Sequence, residues 1–272
     1  MHPILTDFFE NEKIEYYALA RYSRLKKWAP DLTERDGIQP QTAILFLVPY
    51  YTITPSNISR YAASRDYHLA IREIGERLTM RLKSAFPDAT FKTYGDHSPL
   101  DERSAALTSG LGIVGDNGLL INEKYGSYLF IADLLTDLPI EALGTETVSE
   151  VRTCTHCGAC KRACPTGILA GCGNDCLSAI TQRKGDLTNE EQQLMRRYNT
   201  VWGCDICQSV CPYNQNPVPT PLPFFHEETI HTLTHETLDL MDKSEFKSRA
   251  FSWRGRKVIE RNLDILSKND EI

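Results

Sequence analysis

The chain has 272 residues, 41% of them hydrophobic and 24% charged, the composition of an ordinary globular protein with one large domain or two smaller ones. Its formal net charge of −6 argues against broad, nonspecific nucleic-acid binding, while leaving room for a local basic patch.

The elements are read in chain order. Residues 3–22, within "MHPILTDFFENEKIEYYALARY", read as an amphipathic helix interrupted by acids, not as a secretory signal. "TAILFLVPYY" (42–51) is the most apolar run. It is too short to span a membrane and reads as a buried strand, so no membrane association and a cytoplasmic location are expected. Residues 66–86 place Tyr67, Ile71, Ile74, Leu78 and Leu82 on one stripe of an amphipathic helix. "ATFKTYGD" reads as a short strand, and "SPLDERSAALTSGLG" as a short helix ended by Gly110 and Gly112. "GLLINEKYGSYLFIADLLTD" reads as two strands around a turn at Tyr125–Gly126. Thr188-x-x-Glu191 is a capping box for a helix through about Asn199. This mixture implies an α+β or α/β layered fold.

The cysteines set the domain boundaries. All nine lie between Cys154 and Cys211, which in a reducing compartment points to metal or redox chemistry rather than disulfides. The division is therefore 1–150, a cysteine-rich 151–217, and a helical tail, 218–272, entered through the Pro-rich "NPVPTPLP".

Cys154, Cys157, Cys160 and Cys164 follow C-x2-C-x2-C-x3-C-P, the bacterial ferredoxin spacing, in which the fourth sulfur serves the other cluster. Cys204, Cys207 and Cys211, followed by Pro212, repeat the end of that pattern with one upstream sulfur missing, to be supplied by Cys172 or Cys176. Exchanging the outlying cysteines completes two [4Fe-4S] sets. Cys154, Cys157, Cys160 and Cys211 hold one; Cys164, Cys204, Cys207 and Cys172 or Cys176 hold the other. Cys176 is favoured because "CLSAIT" looks like a helix start, whereas Cys172 lies between two glycines. Structural zinc also uses C-x2-C pairs, but it needs neither the third sulfur nor the C-P ending of each half.

Gly110, Gly112, Gly115 and Gly118 fit either turns or a backbone that approaches a bulky ligand. "GLGIVG" spells G-x-G-x-x-G without a βαβ context, so it gives a dinucleotide site little support. Asp96 is either a turn or capping aspartate or a proton donor. His68 and His97 are weaker candidates, and His231 and His235 read as surface residues. The tail carries Lys243, Lys247, Arg249, Arg254, Arg256, Lys257 and Arg261 against Glu245 and Glu260, a solvated face or a set of phosphate contacts.

"SRYAASRDYH" (59–68), "GDHSPLDERSAALTSGLGIVGDNGLL" (95–120), "YGSYLFIADLLTDLP" (125–139), both cysteine blocks and "WRGRKVIERN" (253–262) run in the order seen in epoxyqueuosine reductases. The resemblance implies a nitroreductase-like, cobalamin-binding α/β domain followed by a ferredoxin-like two-cluster domain. It implies base-off cobalamin, fed with electrons by the clusters from an external donor. The reaction would remove the epoxide oxygen of epoxyqueuosine in a tRNA anticodon, giving queuosine. Asp96 would donate the proton, and Arg60, Tyr61, Asp96, Gly112, Gly115, Leu120 and Ser127 would contact the corrin. The fourth ligand of the second cluster falls on Cys176. A monomer is expected. The chain departs from the family in His97 within "DHSP", in Asp116 where a lysine is usual and in Ile113 for a tryptophan. It is expected to lack the family's C-terminal helical-repeat domain. A corrinoid reductase of a small molecule and a ferredoxin-like electron carrier are the competing readings.

Overall fold

In the computed structural model, which describes residues 1–268, the chain divides into two units. The first comprises Met1–Tyr50 and His68–His156. It opens with helix α1 (Pro3–Asn11), started by Pro3 and capped by His2, whose side chain accepts from the Ile4 amide. The helix stops there; Lys13 takes a φ of +59°, and Tyr17–Arg21 forms strand β1. The expectation of one helix over residues 3–22 is therefore corrected. Ala18, Leu19 and Ala20 are all buried by pairing with the neighbouring strand, and that tertiary pairing overrides local helix propensity.

A short helix α2 (Asp31–Arg35) precedes β2 (Thr42–Pro49), every residue of which is buried. Then come α3 (Tyr67–Lys83), β3 (Phe91–Gly95), α4 (Glu102–Thr108), β4 (Ile113–Val114), β5 (Leu120–Ile121) and β6 (Leu129–Thr136). The main sheet has the order β1-β2-β6-β3 and every pairing in it is antiparallel, while β4 and β5 pair separately. The fold class is α+β. The stripe read from the sequence holds: Tyr67, Ile71, Ile74, Leu78 and Leu82 are all buried. Helix α3 lies close over β3, because a Cβ at Gly75 would come within 2.2 Å of the Thr93 hydroxyl. Leu45, Leu47, Tyr94 and Leu135 of the sheet share a core with Ala105, Ala106 and Leu111 in and after α4.

The second unit takes Tyr51–Tyr67 together with the chain from Cys157 onward. This differs from the expected boundaries at 150 and 217, for identifiable reasons. Ile58, Ala62 and Ala63 share a core with Trp202, Phe251 and Ile259. Main-chain bonds reinforce it, with Val201 N donating to Asn57 O at 2.6 Å and Ser59 N to Trp202 O at 2.7 Å. The tail is likewise no separate piece: the fully buried Asn262 donates to the carbonyls of Thr181 and Val201, both at 2.7 Å. The capping box forms as read, Thr188 and Glu191 each accepting the other's amide, and its helix runs Asn189–Arg197. No described helix is long and apolar enough to cross a membrane.

Candidate functional site

The cysteine blocks are brought together by short helices. Ala159–Ala163 carries Cys160 and ends at Cys164, and it packs beside Ile206–Ser209, which carries Cys207. Cys176 is the N-cap of Leu177–Gln182, as the sequence suggests for this residue. Burial pushes the Cys204 thiol up to about 11, with the charges of Cys176, Asp205 and Cys164 adding to the effect. The same cause pushes Cys207 up to about 12, again with Cys204 and Cys176 among the contributors. The Cys204 and Cys207 thiols, raised by burial and by the sulfurs around them, suit a polycation, which binds thiolates and removes that opposition. Cys172 is exposed, and its thiol lies against the Ala170 carbonyl at 3.7 Å. The donor chemistry thus fits an iron–sulfur cluster on Cys164, Cys176, Cys204 and Cys207.

Cys154 falls in the first unit, where Asp116 and His156 join it. His156 Nδ1 lies 2.7 Å from Asp116 Oδ1 and 3.7 Å from Cys154 Sγ. These three side chains have the donor types and spacing of a metal-ligating group. In the sequence Asp116 stands out only as a departure from the family, and His156 does not stand out at all; the pair is forty residues apart and no local spacing signals it.

Asp96 sits in the turn after β3 with a φ of +63° and an exposed side chain. Its backbone N–H donates to Glu102 Oε1 at 2.9 Å, and His68 Nε2 is 4.0 Å from its Oδ2. His97 is exposed beside it. Glu102 is missed by the sequence reading, although an acid that opens a helix six residues after a turn is a recognisable anchor. Burial drives its carboxyl up to about 8, helped by the charges of Asp133 and Asp96.

The other residues expected to touch a corrin are distributed as follows. In the first unit Gly112 is half-exposed, Gly115 and Ser127 are buried, and Leu120 lies within the core. A Cβ on Gly112 would meet the Ile121 carbonyl at 2.5 Å, and one on Gly115 would meet Asn117 Oδ1 at 2.5 Å. These glycines are thus required by the chain's own β4–β5 turn. "GLGIVG" follows a helix and contains β4, which pairs antiparallel with β5 and opens no helix, so it has no dinucleotide-binding context. In the second unit the Arg60 guanidinium reaches Asp205, Ser209 and Thr54, and the Tyr61 hydroxyl accepts from the Trp202 indole at 2.8 Å. A base-off corrin requires backbone and apolar contacts rather than a protein ligand to cobalt. In the first unit the half-exposed 112–114 segment and the exposed Asp96 side chain are the parts open to such a group.

The basic tail is mostly structural. Arg249 is 3% exposed and bonds the Glu228 carbonyl and Glu245, Arg256 engages Asp239 and Glu260, and Arg261 donates to the Arg183 carbonyl. Lys243, Lys247 and Lys257 are exposed. His231 and His235 are also on the surface, His235 3.0 Å from Asp264.

Residues 153–214 match the 4Fe-4S double cluster binding domain. An epoxyqueuosine reductase of Listeria monocytogenes is 32% identical over 249 residues, covering 84% of this chain and 64% of that protein. One of Leadbetterella byssophila is 34% identical over 242 residues, covering 84% of this chain and 76% of that protein. The chain thus spans a little under two thirds of the first of these relatives. Among solved structures, an epoxyqueuosine reductase with an epoxyqueuosine-modified tRNA-Tyr stem loop shares the fold. Its TM-score is 0.79 at 24% identity, over 97% of this chain and 81% of that one.

Proposed function

Since the chain belongs to the epoxyqueuosine reductase family, we propose that it reduces epoxyqueuosine to queuosine in tRNA, with cobalamin and two [4Fe-4S] clusters as cofactors. The observation that carries the reading is the extent of the likeness. Matches of 249 and 242 residues reach far beyond residues 153–214, so they are not carried by a shared cysteine pattern alone.

Roles follow for the chain's own residues. Cys164, Cys176, Cys204 and Cys207 hold one cluster; Cys154, Cys157, Cys160 and Cys211 hold the other. Bound cobalamin would supply the reducing chemistry at the epoxide. Arg60, Tyr61, Gly112, Gly115, Leu120 and Ser127 would hold it. Asp96 would pass the proton to the substrate, from an exposed turn that Glu102 anchors through the Asp96 amide. The substrate's phosphates would meet the exposed lysines of the tail, and an external donor would refill the clusters.

Anaerobic reconstitution of the full chain followed by its visible spectrum tests the cofactor set. Cluster absorption together with a base-off corrin spectrum is expected. Cluster absorption with no retained corrin would leave an electron carrier and overturn the reading.

A further inference from the structure

Asp116 and His156 meet beside Cys154 in the first unit. A parallel bridge between Val114 and Thr153 brings the turn after β4 alongside the chain that enters the cysteine block. His156 takes a φ of +52°, a conformation uncommon for a residue with a Cβ, and contacts at both ring nitrogens hold it there. Nδ1 lies 2.7 Å from Asp116 Oδ1, and Nε2 lies 3.2 Å from Thr153 Oγ1. The same Nδ1 is 3.7 Å from Cys154 Sγ, and a carboxylate oxygen of Asp116 lies within 4.8 Å of that sulfur. An ionised carboxylate only accepts, so Nδ1 carries the hydrogen, with Asp116 as its main acceptor and the sulfur as a weaker second one.

We propose that Asp116 and His156 set the reduction potential of the cluster that Cys154 binds. They act through the Cys154 sulfur as positioning residues and not as ligands. This role rests on the reading of Cys154 as a cluster ligand. The step they govern is a one-electron reduction by the external donor, in which no bond to the protein forms or breaks. The added electron makes the cluster more negative. The Asp116 carboxylate opposes that gain of charge and lowers the potential, whereas the Nδ1–H beside the sulfur favours it and raises the potential.

Magnitude decides between the two effects. Asp116 brings a full charge, and the ring N–H brings a partial one that Asp116 already takes up at 2.7 Å. The Asp116 side chain is 15% exposed, so water screens its charge less than it would on an open surface, while the His156 ring is 59% exposed. The net effect is a lower potential, which makes the reduced cluster a stronger electron donor. Asp116 also fixes the ring's tautomer and orientation, as a carboxylate does for an imidazole beside a metal centre.

The test is a redox titration of the cluster-loaded full chain without cobalamin or tRNA, followed by electron paramagnetic resonance, with iron counted on the same samples. Asp116→Asn keeps an oxygen acceptor for His156 and removes the charge. One cluster should then be easier to reduce, its reduced-to-oxidised ratio at a fixed potential rising about tenfold, or about 59 mV for one electron. Asp116→Lys should move the same cluster further in the same direction. His156→Phe, which keeps a ring but has no N–H, should move it the opposite way. Unmoved midpoints in both Asp116 variants, or equal shifts of both clusters, overturn the tuning role. An unmoved or raised midpoint in His156→Phe overturns the part given to His156. Loss of about four irons in Asp116→Asn would place Asp116 among the ligands and overturn the role as well. Wild type that takes up no iron would defeat the cluster reading itself. Loaded wild type whose midpoints ignore Asp116 would defeat the tuning alone, so the two failures are distinct.

Discussion

Arg60 and Asp205 meet twice. The Arg60 backbone N–H donates to Asp205 Oδ2 at 2.7 Å, and the guanidinium Nη1 lies 3.5 Å from the same oxygen. The Ser59 hydroxyl donates to the other oxygen at 2.5 Å, so one carboxylate ties "SRYA" to the "CDIC" block. Both charged side chains are largely buried, Arg60 at 14% and Asp205 at 10% exposure. With the Gln208 amide, which donates to Oδ1 at 3.1 Å, Asp205→Ala leaves four donors without this acceptor. Hydrogen bonds to a charged group are worth about 1.5–3 kcal/mol. A loss of about 2 kcal/mol corresponds to a fall in thermal midpoint of roughly 4–8 °C for a chain of this size. Differential scanning calorimetry checks it, and an unchanged midpoint would show that the tie is dispensable.

Cys176 and Cys172 are both exposed, but only Cys176 adds to the raised Cys204 and Cys207 thiols, and the iron content should separate the two. Two cubane clusters contain about eight irons per chain. Cys176→Ser is expected to retain about four to six after anaerobic reconstitution, and Cys172→Ser about eight. Equal losses in the two variants would reassign the fourth ligand.

Folding stability should fall with rising pH through the region where Asp133 and Glu102 titrate. Both bind protons more tightly folded than unfolded, their folded values being about 7 and about 8. In the unfolded chain they return to ordinary carboxyl values near about 4. The folded state therefore has their full proton-linked advantage below about pH 4 and loses it as pH rises to about 8. Asp133→Asn removes the larger burial conflict, so its midpoint should decline less between about pH 5 and about pH 8 and exceed that of wild type at the upper end. Parallel pH profiles for the two proteins would contradict this.

Binding of tRNA should divide the tail's basic residues into two classes. Gln at Lys243, Lys247 or Lys257 is expected to weaken binding and to flatten its salt dependence by about 0.7–0.9 in log–log slope for each phosphate that is no longer neutralised. Gln at Arg249 should instead destabilise the fold, because its guanidinium is 3% exposed and bonded internally. Calorimetry together with filter binding at several salt concentrations distinguishes the two effects.

Much of the molecule is legible in the sequence where a short-range rule decides the outcome. The α3 stripe, the Thr188–Glu191 box and the cysteine spacing each depend on residues within a few positions of one another. Residues 17–21 mislead a local reading because their conformation is decided by β2, more than twenty residues away. Tyr51–Tyr67 belongs with the second unit, against its place in the chain, because its partners Trp202 and Phe251 are far along the sequence. The glycines from Gly112 to Gly115 suggest room for a ligand, whereas the atoms beside them belong to Ile121 and Asn117. Asp133 does leave a signal, an acid inside an apolar strand, but its complete burial is decided by the strands paired on either side of it, which the strand alone does not reveal.

The most direct test of the central claim is nucleoside mass spectrometry of epoxyqueuosine-containing tRNA after incubation with the full chain. The protein would be loaded anaerobically with clusters and cobalamin and supplied with a low-potential reductant. Wild type should convert epoxyqueuosine to queuosine, and Asp96→Ala should retain both cofactors but lose conversion. Intact epoxyqueuosine after incubation with fully loaded wild type, or undiminished conversion by Asp96→Ala, would contradict the account.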